Sequence, residues 1–97
     1  MLRLSWTAPT TNEDGSPLTD LGSYAVYIVE TTGGSGTSLG STTETFMDVD
    51  TSAYEGETVE FYATALDIMG NESIPSNIVT HIVPFVAPAP PENLNII

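Results

Sequence analysis

The sequence predicts an all-β antiparallel sandwich, and three observations indicate this fold class. Apolar and polar residues alternate along several short stretches, and no stretch sustains a helical period for three turns. Turn-forming pairs such as Asp-Gly, Ser-Pro and Gly-Asn separate these stretches. The length of 97 residues is typical of one domain with a single hydrophobic core.

The first two strands are predicted from alternation. The first alternating apolar residues are Leu2, Leu4 and Trp6. The polar residues between them predict a strand with one buried face. Residues 8–23 have the composition of a loop. The next alternating residues are Tyr24, Val26 and Ile28, and the residues between them are also largely apolar. This pattern is typical of a central strand covered on both faces.

The rest of the chain predicts four more strands. A polar, glycine-rich segment at residues 31–45 is predicted to be a flexible loop carrying a short edge strand. Further strands are predicted at about residues 44–49, 59–65 and 78–83, each bounded by turn residues. Six strands at this short spacing favour a two-sheet sandwich.

Two stretches resemble the fibronectin type III family, from Leu2 to about Val83. "LSWTAP" with "DGSPLTDLGSYAVYI" resembles the family's second strand, which carries a core tryptophan, and its third strand. "EGETVEFYATALDIMGNESIPSNIV" resembles its sixth strand, the following turn and its last strand. The resemblance implies an immunoglobulin-like sandwich of seven strands. Glu55 and Val59 depart from it, since they stand where the family usually has a proline and a corner tyrosine.

The first strand implied by the resemblance is missing at the N-terminus, whereas the C-terminal "APAPPENLNII" resembles that strand. We therefore divide the chain into a sandwich at residues 1–83, a proline-rich connector at residues 84–91 and a donor strand at residues 92–97. The connector residues of interest are Val86, Pro88, Pro90 and Pro91.

Geometry favours pairing of the donor strand with a second copy of the chain. A tail returning to its own first strand would have to cover roughly 20–25 Å along the sandwich. The stiff segment at residues 86–91 reaches only about 19 Å. The sequence therefore predicts that residues 92–97 pair with residues 1–7 of a neighbour. Because donor and acceptor surfaces differ, repetition of this contact gives a head-to-tail homopolymer.

In this arrangement Leu94 and Ile96 enter the core of the acceptor. The acceptor strand consists of Leu2, Leu4 and Trp6. An alternative is that the sequence is a slice of a tandem array, so that the tail belongs to the next domain.

Composition excludes several partners. Thirteen acidic residues and one basic residue, Arg3, give a formal net charge of −12, which disfavours nucleic acids and anionic membranes. There is no cysteine, and no apolar run has the length of a membrane span. The scarcity of lysine and the abundance of threonine, serine and glycine favour an extracellular or cell-surface location.

The sequence predicts neither catalysis nor a cofactor. His81 is the only histidine, on a predicted strand where it is expected to face solvent, and no serine lies in a nucleophile elbow. Acidic residues at 12–15, with Asp48 and Asp50, offer oxygen ligands but do not match a calcium loop. We therefore predict no metal site. Glycan decoration is left open by the sequon at Asn71 and by threonine pairs at residues 10–11, 31–32 and 42–43.

Two functions agree with these observations. The first is a non-catalytic extracellular structural protein that forms a filament by donating its C-terminal strand. The second is a spacer or binding module of a larger secreted carbohydrate-active enzyme or adhesin. In the second case Tyr27 and Tyr62 are candidates for stacking on sugar.

Overall fold

The computed structural model describes residues 1–30 and 36–96, and the regular structure in this part of the chain is almost entirely antiparallel strand. The strands are β1 (Leu2–Ser5), β2 (Leu21–Val29), β3 (Thr37–Thr42), β4 (Phe46–Val49), β5 (Thr58–Asp67) and β6 (Val79–Ile82). One short 3-10 turn, Ser52–Tyr54, connects β4 to β5. The predicted all-β class is confirmed. Of the predicted glycine-rich loop and its threonine pairs, residues 31–35 lie outside the described residues.

The strands form two antiparallel sheets. One sheet contains β1 and β4, and the other has the order β3-β2-β5-β6. The long central pair fixes the register of the larger sheet, because β2 and β5 align Tyr27 with Tyr62 and Ile28 with Phe61. In the smaller sheet Leu4 lies opposite Met47. Both sheets place alternate apolar residues on a shared inner side.

The core lies between the sheets. Its buried cluster comprises Ile28, Val49, Val59, Phe61 and Val83. Partly buried residues from both sheets and the 3-10 turn pack against it, namely Leu2, Leu4, Leu39, Met47 and Tyr54. Strand β2 is buried on both faces, as its apolar pattern predicts, since Ala25 and Val29 are buried on the side opposite Val26 and Ile28.

Arg3 joins the two strands of the smaller sheet on its outer face. Its Nε donates to Asp48 Oδ1 at 2.8 Å, and its second terminal nitrogen donates to Asp48 Oδ2 at 3.1 Å. The guanidinium also lies 4.5 Å from the centre of the Phe46 ring. Hydrogen bonds from Arg3 lower the pKa of Asp48. The chain's single cation therefore links β1 to β4, because Arg3 and Asp48 are directly opposite in the register.

Candidate functional site

An open seam runs along one side of the sandwich between β1 and β6. Each is an edge strand, since in the described part of the chain β1 pairs only with β4 and β6 only with β5. We define the seam by the residues that line its cavities: Leu2, Leu4 and Trp6 on the β1 side, and Val79, His81 and Val83 on the β6 side. Trp6 continues the path of β1, because its N–H donates to the Thr45 carbonyl at 2.9 Å.

Three cavities follow the seam from one pole of the sandwich to the other. The lower cavity, of about 370 Å³, lies beside Met1, Leu2 and His81. The middle cavity, of about 100 Å³, lies between Leu4, Trp6, Phe61 and Val79. The upper cavity, of about 160 Å³, is walled by Trp6, Pro9, Tyr24 and Ile74. Because Trp6, Ala63 and Ser76 line both the middle and the upper cavities, the two are adjacent.

The β1 side of the seam is apolar but incompletely covered. Leu2 and Leu4 pack against the core cluster, yet both stay half-buried, as does Trp6, which the sequence predicts as a core residue. The linings of the middle and upper cavities contain no charged side chain, although the chain carries a net charge of −12. The part of the seam formed by the middle and upper cavities is therefore a neutral groove on an acidic protein, suited to an uncharged, partly apolar segment, whereas Asp50 and Glu55 line the lower cavity.

Trp6 carries a polar group that the rest of the described chain leaves unsatisfied. Its ring meets Tyr24 edge-on, with 5.3 Å between the ring centres. Its Nε1 is buried and has no hydrogen-bond partner among the described residues. Such a buried donor costs about 1–3 kcal/mol relative to one with an acceptor. An acceptor placed beside Trp6 would remove this cost.

The predicted donor tail extends away from the sandwich. Leu94 is 95% exposed, and Ile96 and the four connector residues are also exposed. The longest dimension of the molecule is 76 Å and its radius of gyration is 18.7 Å, whereas a compact domain of this length has a radius of about 12.5 Å. Residues 84–96 form no strand, and of these residues only Pro84 and Val86 line a cavity of the seam, the lower one. Ile97 lies outside the described residues.

The free tail is not yet in a strand conformation throughout. Asn93 has a φ of 58°, in the left-handed region, and the chain bends at Glu92. Asparagine visits this region more readily than most residues, because its short polar side chain bonds locally. Pairing of residues 92–97 with another strand therefore requires Asn93 to move into the β region.

The first residues of the tail are held at the lower pole of the sandwich, which is the end that carries the lower cavity and the start of β1. Gly56 donates its N–H to the Val83 carbonyl at 2.8 Å, and Val83 donates to the Glu57 carbonyl at 2.9 Å. The Phe85 ring lies directly over Gly56, so that a Cβ on Gly56 would collide with it. Gly56 also has a φ of 78°. These contacts set the point at which the tail leaves the sandwich, beside Met1 and Leu2.

We expect Gly56→Ala to destabilise the protein by about 1–2 kcal/mol, because alanine disfavours a positive φ and its methyl group displaces the Phe85 ring. The free energy of unfolding in urea measures this effect. Gly70→Ala is the matched control, since Gly70 has a φ of 86° but no neighbour within 4 Å of an added Cβ. Equal losses for the two variants would show that the Phe85 contact contributes nothing.

His81 differs from its sequence-based expectation. It was expected to face solvent, but it is half-buried and lines the lower cavity together with Leu2 and Val83. The reason is its position on an edge strand: Val79, His81 and Val83 alternate toward the seam, while Thr80 and Ile82 point outward and are exposed.

The acidic loops use their oxygens within their own turns. Asp14 Oδ1 accepts hydrogen bonds from the Ser16 N–H at 2.9 Å and the Ser16 hydroxyl at 2.6 Å. Asp50 Oδ1 accepts from the Ser52 N–H at 2.9 Å. These hydrogen bonds lower the pKa of both aspartates. Within residues 1–30 and 36–96 no cluster of three or more histidine, aspartate or glutamate side chains is placed to hold a metal ion.

A cavity of about 490 Å³ separates the loop before β2 from the loop after β5. Glu13 crosses between these loops, and its Oε1 accepts from the Ile74 N–H at 2.7 Å. Asp67 accepts from the Asn71 backbone and side-chain amides, both at 2.9 Å. The carboxylates around this cavity therefore hold the two loops in place at the upper pole.

Tyr27 and Tyr62 form a stacked pair on the outer face of the larger sheet. Their ring centres are 5.0 Å apart and their planes differ by 19°. The Tyr27 hydroxyl and the Thr64 hydroxyl both donate to Glu72 Oε2 at 2.5 Å. The bond to Glu72 raises the pKa of Tyr27, and the bonds from Thr64 and Tyr27 lower that of Glu72. The structure thus places the two tyrosines that the sequence offers as candidates for stacking on sugar side by side, each of them half-buried.

Sequence reasoning missed the β6 side of the seam and the upper cavity. Val79, Tyr24 and Ile74 belong to separate stretches, and only the antiparallel pairing of β2, β5 and β6 brings them near Trp6. The unsatisfied indole nitrogen has no signature in the sequence either, because it depends on what surrounds the ring.

Comparison of the chain with models of protein families, with curated proteins and with solved structures finds no match. No helix in the described ranges is long and apolar enough to span a membrane.

Proposed function

We propose that this chain is a non-catalytic extracellular structural protein, the protomer of a head-to-tail filament in which the C-terminal strand of one copy fills the seam of the next. The observation that carries this proposal is the coexistence of an open apolar seam and an exposed apolar tail in one molecule. Unpaired edge strands recruit extended segments, which add main-chain hydrogen bonds and place alternate side chains in pockets.

The tail has the chemistry that the seam requires. From Leu94 onward the tail matches a strand with one apolar face, because Leu94 and Ile96 alternate with Asn93 and Asn95, while Glu92 begins the strand on the same face as Leu94. Antiparallel pairing of residues 92–97 with residues 1–6 of the neighbour places Leu94 opposite Leu4 and Ile96 opposite Leu2. Both apolar side chains then point into the seam, where they cover residues that are half-buried in the single chain.

The direction of the tail favours a neighbour over the same chain. The tail leaves the sandwich at the lower pole, where β1 begins. A strand antiparallel to β1 must enter at the upper pole, beside Trp6, and run downward. To enter the seam of its own chain, the connector would first have to run from the lower pole to the upper pole and then reverse direction. A second copy stacked with its upper pole on this lower pole presents its seam without any reversal.

The same arrangement supports a fibronectin type III-like sandwich whose first strand is supplied by the neighbour. The resemblance implies a first strand that lies beside β1. Without that strand, the implied strand order agrees with the two sheets β1-β4 and β3-β2-β5-β6. In this proposal the donated strand is the seventh strand. The net charge of −12 would keep finished filaments apart in solution.

The proposal predicts a covalent ladder when Ser5→Cys and Asn93→Cys are combined, because the proposed register places these two outward-facing residues opposite each other in neighbouring copies. The chain has no other cysteine. Oxidation followed by non-reducing electrophoresis should show dimers, trimers and longer species. Electron microscopy of the unmodified chain should show filaments, and deletion of residues 92–97 should remove them.

The single-cysteine variants are the controls, since each can form nothing longer than a disulfide-linked dimer. Return of the tail to its own seam would instead consume both thiols while the protein still migrates as a monomer. That result, or the absence of filaments from the full chain under all assembly conditions tested, would contradict the proposal. A ladder formed by this sequence alone would also exclude the alternative in which the tail pairs only with the next domain of a longer tandem chain.

A second candidate function rests on the Tyr27–Tyr62 stack. A flat aromatic pair on the outer face of a sheet is a surface on which sugar rings can pack. The protein would then be a spacer or binding module of a larger secreted carbohydrate-active enzyme or adhesin. A monodisperse monomer of 10.3 kDa that binds a soluble polysaccharide, and loses binding on Tyr62→Ala, would favour this function.

A further inference from the structure

The upper cavity has features that a simple strand-pairing edge does not need. Two aromatic rings, Trp6 and Tyr24, form part of its wall, and Pro9 and Ile74 add further apolar surface. The polar residues that line it, among them Thr7, Ser73 and Ser76, are uncharged. Trp6, which lines both this cavity and the middle one, has a buried Nε1 without an acceptor in the described chain. The cavity thus combines aromatic walls with an indole whose N–H has no partner among the described residues.

Proline-rich segments are suited to such a cavity. A polyproline II segment has no internal hydrogen bonds, so its carbonyl groups are free to accept. Its rings pack against aromatic walls, and its ordering cost is low because proline already fixes φ. Pro90 and Pro91 immediately precede the predicted donor strand and are exposed in the single chain.

Register brings the two together. If Leu94 of one copy lies opposite Leu4 of the next, then Glu92 lies opposite Trp6 and Pro91 opposite Thr7. Pro90 and Pro91 then reach the level of the upper cavity, whose wall includes Thr7 and Pro9. The segment from Val86 to Pro91 carries no charge, so it can approach this acidic protein without added repulsion.

We propose that the upper cavity is a proline-binding site for the connector of the neighbouring copy, in which Pro90 and Pro91 pack on Trp6 and Tyr24 and a connector carbonyl accepts a hydrogen bond from Trp6 Nε1. This inference rests on the proposed strand exchange and adds to it. In this arrangement the connector fixes where the donor strand begins, because the Trp6 indole binds the connector at that point.

The single tryptophan makes the test direct, because one indole N–H resonance reports on this site. The full chain carrying Leu94→Asp, which is expected to stay monomeric, is labelled with ¹⁵N. It is then titrated with a synthetic peptide of residues 86–97. Binding should move the indole proton downfield and slow its exchange with solvent. A matched peptide with Pro90→Ala and Pro91→Ala should bind on the order of tenfold more weakly and leave the indole unprotected.

The outcomes separate this inference from the proposed function. If the peptide shifts the β1 amide resonances but the indole proton exchanges as before, or if the alanine peptide protects it equally, strand exchange stands and the proline site is refuted. If the peptide shifts no resonance of β1, the strand-exchange proposal fails. Trp6→Phe offers a second measurement: a folded variant should bind the peptide more weakly, and unchanged affinity would overturn the role of the indole.

Discussion

Leu94→Asp is expected to abolish filament assembly. In the proposed complex Leu94 enters the middle cavity, whose lining is uncharged and includes Leu4, Phe61 and Val79. Loss of a buried leucine costs about 2–5 kcal/mol, and burial of an unpaired carboxylate adds to this. A loss of 3 kcal/mol lowers the affinity of each junction by about 100-fold. Because a filament needs every junction, assembly should stop at the monomer.

Sedimentation and electron microscopy of the variant measure this effect. Asn95→Asp is the matched control, since it adds the same negative charge one residue further along, on the face of the donor strand that points to solvent. We expect the control to assemble, with a modest dependence on salt. Equal loss of assembly in both variants would show that charge alone, and not the apolar face of the strand, is responsible.

Phe61→Ala is expected to destabilise the fold by about 3–5 kcal/mol. Phe61 is 1% exposed, belongs to the core cluster with Ile28 and Val59, and also lines the middle cavity of the seam. A domain of this size has a total stability of about 5–15 kcal/mol, so the variant should lose a large share of its stability. The physical cause is the cavity left between two sheets that cannot collapse fully.

Urea unfolding followed by Trp6 fluorescence measures the loss. The Leu94→Asp background is used so that assembly does not add to the apparent stability. Phe85→Ala, the same chemical change at a ring that is 79% exposed, should cost less than about 1 kcal/mol. Similar losses for the two variants would contradict the placement of the core.

Much of the fold follows from local patterns. Alternation at Leu2, Leu4 and Trp6 predicted β1 because a strand with one buried face has a period of two. The nearly continuous apolar run from Tyr24 to Val29 predicted a central strand, and β2 lies between β3 and β5. Turn residues marked the ends of strands to within a few positions.

The candidate site was less accessible to such patterns. The sequence indicated the acceptor residues on β1 and the donor residues Leu94 and Ile96. The sequence predicted a solvent-facing His81, because the residue pattern of a short strand does not show which face is buried until the position of the strand in the sheet is known. The other wall of the seam comes from β6, about 75 residues further along the chain.

By itself, then, the sequence determined the strand class, the order of the elements and the apolar faces of β1, β2 and β5, because these depend on neighbours two residues apart. Tertiary structure decided which edges stay open in the described part of the chain, that the middle and upper cavities are adjacent, and that the Trp6 indole nitrogen is buried without an acceptor among the described residues. Those features depend on contacts between segments that are far apart in the sequence. The packing of the two sheets brings these segments together, and the local alternation of apolar residues does not specify it.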